Sequence, residues 1–97
     1  MLFLIRCIDK PGYGPVRSES RPRHLDYLDG FKGQIRFAGP ILNEKNEAPT
    51  GSVFIMDLSD RNAAERFAAE DPYSRAGLFA SVDIARIRQT LPAGVQP

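Results

Sequence analysis

The 97-residue chain has one cysteine, one histidine and no tryptophan. One cysteine excludes an internal disulfide. A lone histidine beside a lone cysteine leaves too few nitrogen and sulfur ligands for a zinc site of the usual kind. Thirteen basic and 12 acidic residues leave a net charge of +1. No strong overall field therefore exists to draw in nucleic acid or an anionic membrane surface. Long apolar runs are also missing. Leu2-Phe3-Leu4-Ile5 meets Arg6 at once, too short a stretch for a signal-peptide core or a membrane span. These absences describe a small cytoplasmic protein with no nucleic-acid or membrane partner. What is present, 42% hydrophobic and 26% charged residues, is the composition of a folded globular chain rather than a disordered tail or coiled coil. A single domain is expected over residues 1–97, its core at about 1–90 and a frayed tail at 91–97.

Six of the seven residues at 2–8 are apolar, which suits a strand covered on both faces. Asp9-Lys10-Pro11-Gly12-Tyr13-Gly14-Pro15 breaks regular structure. Ser20 followed by Pro22 reads as the cap and first turn of a helix over about 21–32, stopped by Gly33. Residues 34–41 alternate, with Ile35, Phe37 and Ile41 on one parity and a break near Gly39-Pro40. A polar turn leads to a third strand at 52–58. Asp60 can cap a second helix at 61–70, which Asp71-Pro72 ends. A helical fragment at 73–76 precedes a last strand at 78–90. The order β-α-β-β-α-β is the ferredoxin-like α+β arrangement: one antiparallel sheet with both helices on one face.

That arrangement leaves a sheet face uncovered, yet the strands carry apolar residues on both parities. Leu2, Leu4 and Ile8 oppose Phe3, Ile5 and Cys7; Val53 and Ile55 oppose Phe54, Met56 and Leu58. A soluble monomer rarely exposes so large a patch. The expected solution is a homodimer with two sheets packed face to face, open to further assembly.

His24 is the natural place to look for chemistry. On a helical wheel Leu28 and Phe31 fall within about 40° of it, so the ring sits in the apolar stripe. An imidazole there can act as a general acid or base, or pack as a hydrogen-bonded core residue. Asp71 can fix the ring tautomer, or merely cap the turn through Ser74. Cys7, in mid-strand with nothing nearby to activate it, reads as a buried structural residue. Gly12-Tyr13-Gly14 lacks the third glycine of a dinucleotide-binding loop. Arginines 17, 21 and 23 can hold an anionic substrate near His24 or, as the default for each, form solvated surface, with Arg21 on the border of any pocket beside His24. Tyr27 reads as a core aromatic or a hydrogen-bond donor to a ligand.

Arg21-Pro22-Arg23-His24-Leu25-Asp26-Tyr27-Leu28 resembles the R-P-x-H-L-x-x-L signature of the YciI-like (YCII-related) proteins. Ala38-Gly39-Pro40, Gly51-Ser52, Ala69-Glu70-Asp71-Pro72-Tyr73 and Ala76-Gly77 follow in the matching order. The resemblance implies a dimeric α+β barrel with His24 and Asp71 as its paired active-site residues. It further implies cofactor-free acid–base chemistry of a lyase, isomerase or dehydrohalogenase kind, with no metal, on a small aromatic or anionic ligand. Arg21, Tyr27 and Tyr73 are then the expected substrate-binding residues. The alternative on the same fold is a non-catalytic ligand-binding or accessory module. The Pro/Gly loop at 9–15 is longer than the resemblance leads one to expect.

Overall fold

The computed structural model describes residues 1–93. Its elements are β1 (Leu2–Asp9), α1 (Gly14–Asp29), β2 (Ile35–Leu42), β3 (Pro49–Asp57), α2 (Arg61–Glu70), α3 (Pro72–Arg75) and β4 (Phe79–Ile87). The four strands form one antiparallel sheet in the order β2-β3-β1-β4. This is the ferredoxin-like α+β arrangement, with a single helical turn added before β4. No helix among the described residues is long and apolar enough to cross a membrane.

The register sorts the side chains. Phe3 pairs with Met56 and Ile5 with Phe54. These residues point under the helices and form the core with Ala64, Phe67 and Ala68 of α2. Leu4, Ile8, Val53 and Ile55 point to the opposite face, as period-2 geometry requires. Asp60 caps α2 as expected, its Oδ1 accepting from the Ala63 N–H at 2.8 Å. A Cβ on Gly51 would run into the carbonyl oxygen of Cys7, so glycine allows β3 to lie close to β1 just before Ser52.

The elements differ from the sequence reading in α1, β2 and β4, and β3 begins at Pro49 rather than at residue 52. The first helix begins at Gly14, not near residue 21, and ends at Asp29 in a turn. Pro15 occupies its first turn, where no N–H is needed. Ser20 is therefore not a cap but a buried residue in mid-helix, and Pro22 is an exposed interior proline. The loop after β1 is correspondingly shorter than 9–15. In β2 the irregularity falls between Ile35 and Phe37 and again between Ile41 and Leu42, not at Gly39-Pro40. The extra residue turns Phe37 away from the face of Ile35, so Ile35 packs on the core while Phe37 is 52% exposed on the open face. β4 stops at Ile87 because Ile87 already pairs with Leu2, the first residue of β1. No β1 residue remains to pair with 88–90. The tail expected to fray lies partly outside the described residues, at 94–97.

Candidate active site

The buried stripe of α1 changes character along its length. Arg17, Ser20 and His24 are its buried residues; Tyr27, Leu28 and Phe31 continue it against the core, half-buried. Its first two turns therefore present polar groups to the interior. Arg17, Arg21, His24, Leu25 and Leu28 form one wall of a cleft of about 230 Å³, whose other walls include Gly39, Pro40, Ser52 and Phe54 of β2 and β3.

Two hydrogen-bonded pairs border this cleft, through His24 and Arg17, which line it. His24 Nδ1 lies 2.8 Å from Asp71 Oδ1 and 3.0 Å from Oδ2. His24 is 7% exposed and Asp71 1%. A carboxylate only accepts, so Nδ1 carries the proton. In the neutral ring the lone pair is then on Nε2. That nitrogen makes no hydrogen bond to a described residue, and among the described residues no solvent-shielded side-chain nitrogen or oxygen lacks a partner. Nε2 is therefore open to the cleft that His24 lines. Asp71 Oδ1 also accepts from the Tyr73 N–H at 2.9 Å, capping α3. Capping and holding the histidine are not alternatives here, because one carboxylate does both.

The second pair is Arg17 and Asp9. Nε donates to Asp9 Oδ2 and Nη2 to Oδ1, both at 2.8 Å. Nη2 also donates to Ser52 Oγ at 3.0 Å. Burial opposes the Arg17 charge, but Asp9 outweighs it and holds the guanidinium above its usual value. The guanidinium lies 4.6 Å from the centre of the Tyr73 ring, and His24 stacks on the same ring at 3.9 Å with 14° between planes. Tyr73 thus joins the two pairs. Its phenol is pushed up by burial, with Arg17 and Arg21 pulling it partly back.

Arg21, on the exposed rim, and Tyr73 both line the cleft with His24. Tyr27 does not line this cleft. Its hydroxyl donates to the Phe67 carbonyl at 2.9 Å and its ring packs on Phe31 and Phe67. Burial, then Glu70 and Asp71, push that phenol up to about 12. Asp9 and Ser52 were not singled out by the sequence as site residues, and Arg17 only as one of three arginines that could hold an anion near His24. The available signal was the spacing of Arg17, Ser20 and His24, which marks one helical stripe in polar rather than apolar residues.

Cys7 lies under this site, and its thiol is pushed from 9.0 to about 12, by burial first and then by the charge of Asp71. Keeping it neutral contributes stability fully below the unfolded value near 9, and that contribution is lost as pH rises toward about 12. Native protein at pH 8 should therefore resist iodoacetamide for hours and react at once in denaturant. Rapid alkylation of the native chain would contradict this burial.

The fold and cleft together define a ferredoxin-like α+β domain with a buried histidine–aspartate pair opening onto a small, largely apolar pocket. The chain belongs to the YCII-related domain family, whose model matches residues 1–88. The protein YciI of Escherichia coli is 32% identical over 91 residues, spanning 87% of this chain and 93% of that one. The dehydrochlorinase TftG of Burkholderia phenoliruptrix, which acts on 5-chloro-2-hydroxyhydroquinone, was solved in complex with 2,5-dihydroxybenzoquinone. It superposes with a TM-score of 0.87 at 36% identity, over 91% of this chain and 94% of TftG. SnoaB, a cofactor-independent oxygenase from Streptomyces nogalater, shares the fold at a TM-score of 0.55 and 18% identity, over 94% and 96% of the two chains.

Proposed function

We propose that the chain is a cofactor-independent enzyme that moves protons on a small hydroxylated ring, with His24 as acid and base and Asp71 as its holder. The carrying observation is the 2.8 Å contact of His24 Nδ1 with Asp71 Oδ1, which assigns the ring proton to Nδ1 and leaves Nε2 to the cleft. The likeness to TftG supports dehydrochlorination of a chlorinated hydroquinone as the reaction. In that reaction Nε2 takes the proton of a ring hydroxyl and returns it to the ring carbon bearing chlorine. Loss of a second hydroxyl proton then expels chloride, so the net change is loss of HCl and no external oxidant is consumed. Arg21, on the rim, supplies positive charge to the ionised ring oxygens, and Tyr73 offers an aromatic edge to the ring.

The test is chloride release from 5-chloro-2-hydroxyhydroquinone by the wild type and by His24→Ala. Turnover by the wild type that survives the substitution within a few-fold would overturn the role of His24. Saturable binding without turnover would favour the ligand-binding module instead.

We further propose that the working unit is a homodimer built on the open sheet face, each chain contributing one domain over about residues 1–90. Leu4, Ile8, Phe37, Ile41, Val53 and Ile55 share that face by register. Burying them against a second copy contributes roughly 25 cal/mol for each Å² of apolar area. Sedimentation at micromolar concentration should show twice the 10.8 kDa chain mass, and Phe37→Glu should shift it to the monomer. A wild-type monomer at that concentration would contradict the dimer.

A further inference from the structure

Ser52 sits on β3 with 3% of its surface exposed, yet it lines the cleft that His24 lines. Its Oγ receives a hydrogen bond from Arg17 Nη2 at 3.0 Å. A guanidinium has no acceptor, so in that contact the serine can only accept. The hydroxyl proton is therefore left over, and no described residue accepts it. Accepting a charge-assisted bond polarises the O–H and makes it a stronger donor.

Arg17 lines the cleft as well, and of its guanidinium nitrogens only Nη1 makes no hydrogen bond to a described residue. Its Nε and Nη2 are committed to Asp9 in a two-point pair, which offsets its charge. The stack on Tyr73 fixes the plane of the guanidinium. The three residues come from β1, α1 and β3 and meet on the side of the sheet that carries the helices. They form a small relay whose outer end is a serine lining the cleft that His24 also lines.

The geometry points to Ser52 as the hydrogen-bond donor to an ionised ring oxygen of the substrate, with Arg17 and Asp9 as its positioning residues. Ser52 keeps its proton throughout; it stabilises negative charge and does not transfer hydrogen. The ligand this site takes is a planar hydroxylated ring in its anionic form, one oxygen on Ser52 while another reaches His24 Nε2. This inference rests on the acid–base reading of His24 and specifies the substrate oxygen that such chemistry must leave charged.

The test is calorimetric titration of the intact protein with 2,5-dihydroxybenzoquinone. Ser52→Ala should weaken binding by at least about 10-fold, the scale of a hydrogen bond to a charged group. Ser52→Thr, which keeps a hydroxyl, should stay within about 3-fold of wild type. Ser52→Cys keeps the volume with a weak donor and should show the alanine-like loss, which covers the case where the alanine variant fails to fold. Asp9→Asn, which loosens the relay, should weaken binding less than Ser52→Ala and leave the His24 nuclear magnetic resonance signal in place. Wild-type affinity in both Ser52→Ala and Ser52→Cys overturns the donor role while leaving the His24 reading intact. Absence of binding to the wild type overturns the donor role and the anionic ring class together. Loss of turnover in His24→Ala, with the Ser52 variants binding normally, separates the two assignments.

Discussion

His24→Ala should lower turnover of the chlorinated hydroquinone by about 10²–10⁴, the contribution of a positioned general acid–base group. The size follows from there being one histidine in the chain and no other imidazole to substitute for it. Asp71→Asn separates holding from folding. Asparagine is as good an N-cap as aspartate, so α3 keeps its start and the melting temperature should change little. The amide, however, can present N–H to Nδ1, which favours the tautomer with the proton on Nε2 and blocks the base. Turnover should fall by about 10²-fold or more while the fold is retained. Steady-state kinetics alongside a thermal melt checks both halves. An Asp71→Asn enzyme that melts early but turns over normally would reduce Asp71 to a structural cap.

The second large effect is on stability. Arg17→Met should destabilise the fold by about 3–5 kcal/mol, because it strands the Asp9 carboxylate in the interior. The two side chains are 9% and 8% exposed, so little water reaches Asp9 to replace the lost pair. For a chain of this size that is a fall in melting temperature of more than about 10 °C. Adding Asp9→Asn to Arg17→Met removes the stranded charge and should recover a large part of the loss. A melt showing under about 1 kcal/mol for the single variant, or no recovery in the double, would show that the pair is solvated. The contrast with the exposed Lys32–Asp29 pair, 77% and 65% exposed, is the physical one: that surface pair contributes little.

The strands and α2 were legible because their signals are apolar. Phe3, Ile5 and Cys7 alternate with Leu2, Leu4 and Ile8, and Asp60 stands four residues before the first member of an inward Ala64-Phe67-Ala68 stripe. The first two turns of α1 were not legible, because their buried positions are Arg17 and Ser20, which hydropathy scores as surface. Pro22 then drew the predicted start of the helix too far along, since a proline is more at home in a first turn than in mid-helix. The bulge at Arg36 was equally silent. Nothing in the sequence distinguishes it from simple alternation, yet it sends Ile35 and Phe37 to opposite faces.

The site divides in the same way. His24 and Asp71 are 47 positions apart, and the family motif, not spacing, drew them together. Tyr27 was drawn toward the cleft because it lies about 60° from His24 on the wheel. Its ring instead turns toward Phe67 of α2 and leaves the cleft to Leu28. Ser52 and Asp9 stand 35 and eight positions from Arg17. No local pattern announces a buried ion pair, because each partner alone resembles a solvated residue.

Nitrogen-15 spectroscopy of the one imidazole most directly tests the claim that Asp71 holds the Nδ1 proton and leaves Nε2 as the reactive nitrogen. In the neutral ring the prediction is a protonated Nδ1 and an unprotonated Nε2, with 2,5-dihydroxybenzoquinone moving the Nε2 signal far more than the Nδ1 signal. A proton on Nε2 in the free protein, or an imidazole that ignores the ligand while the ligand binds, would contradict it.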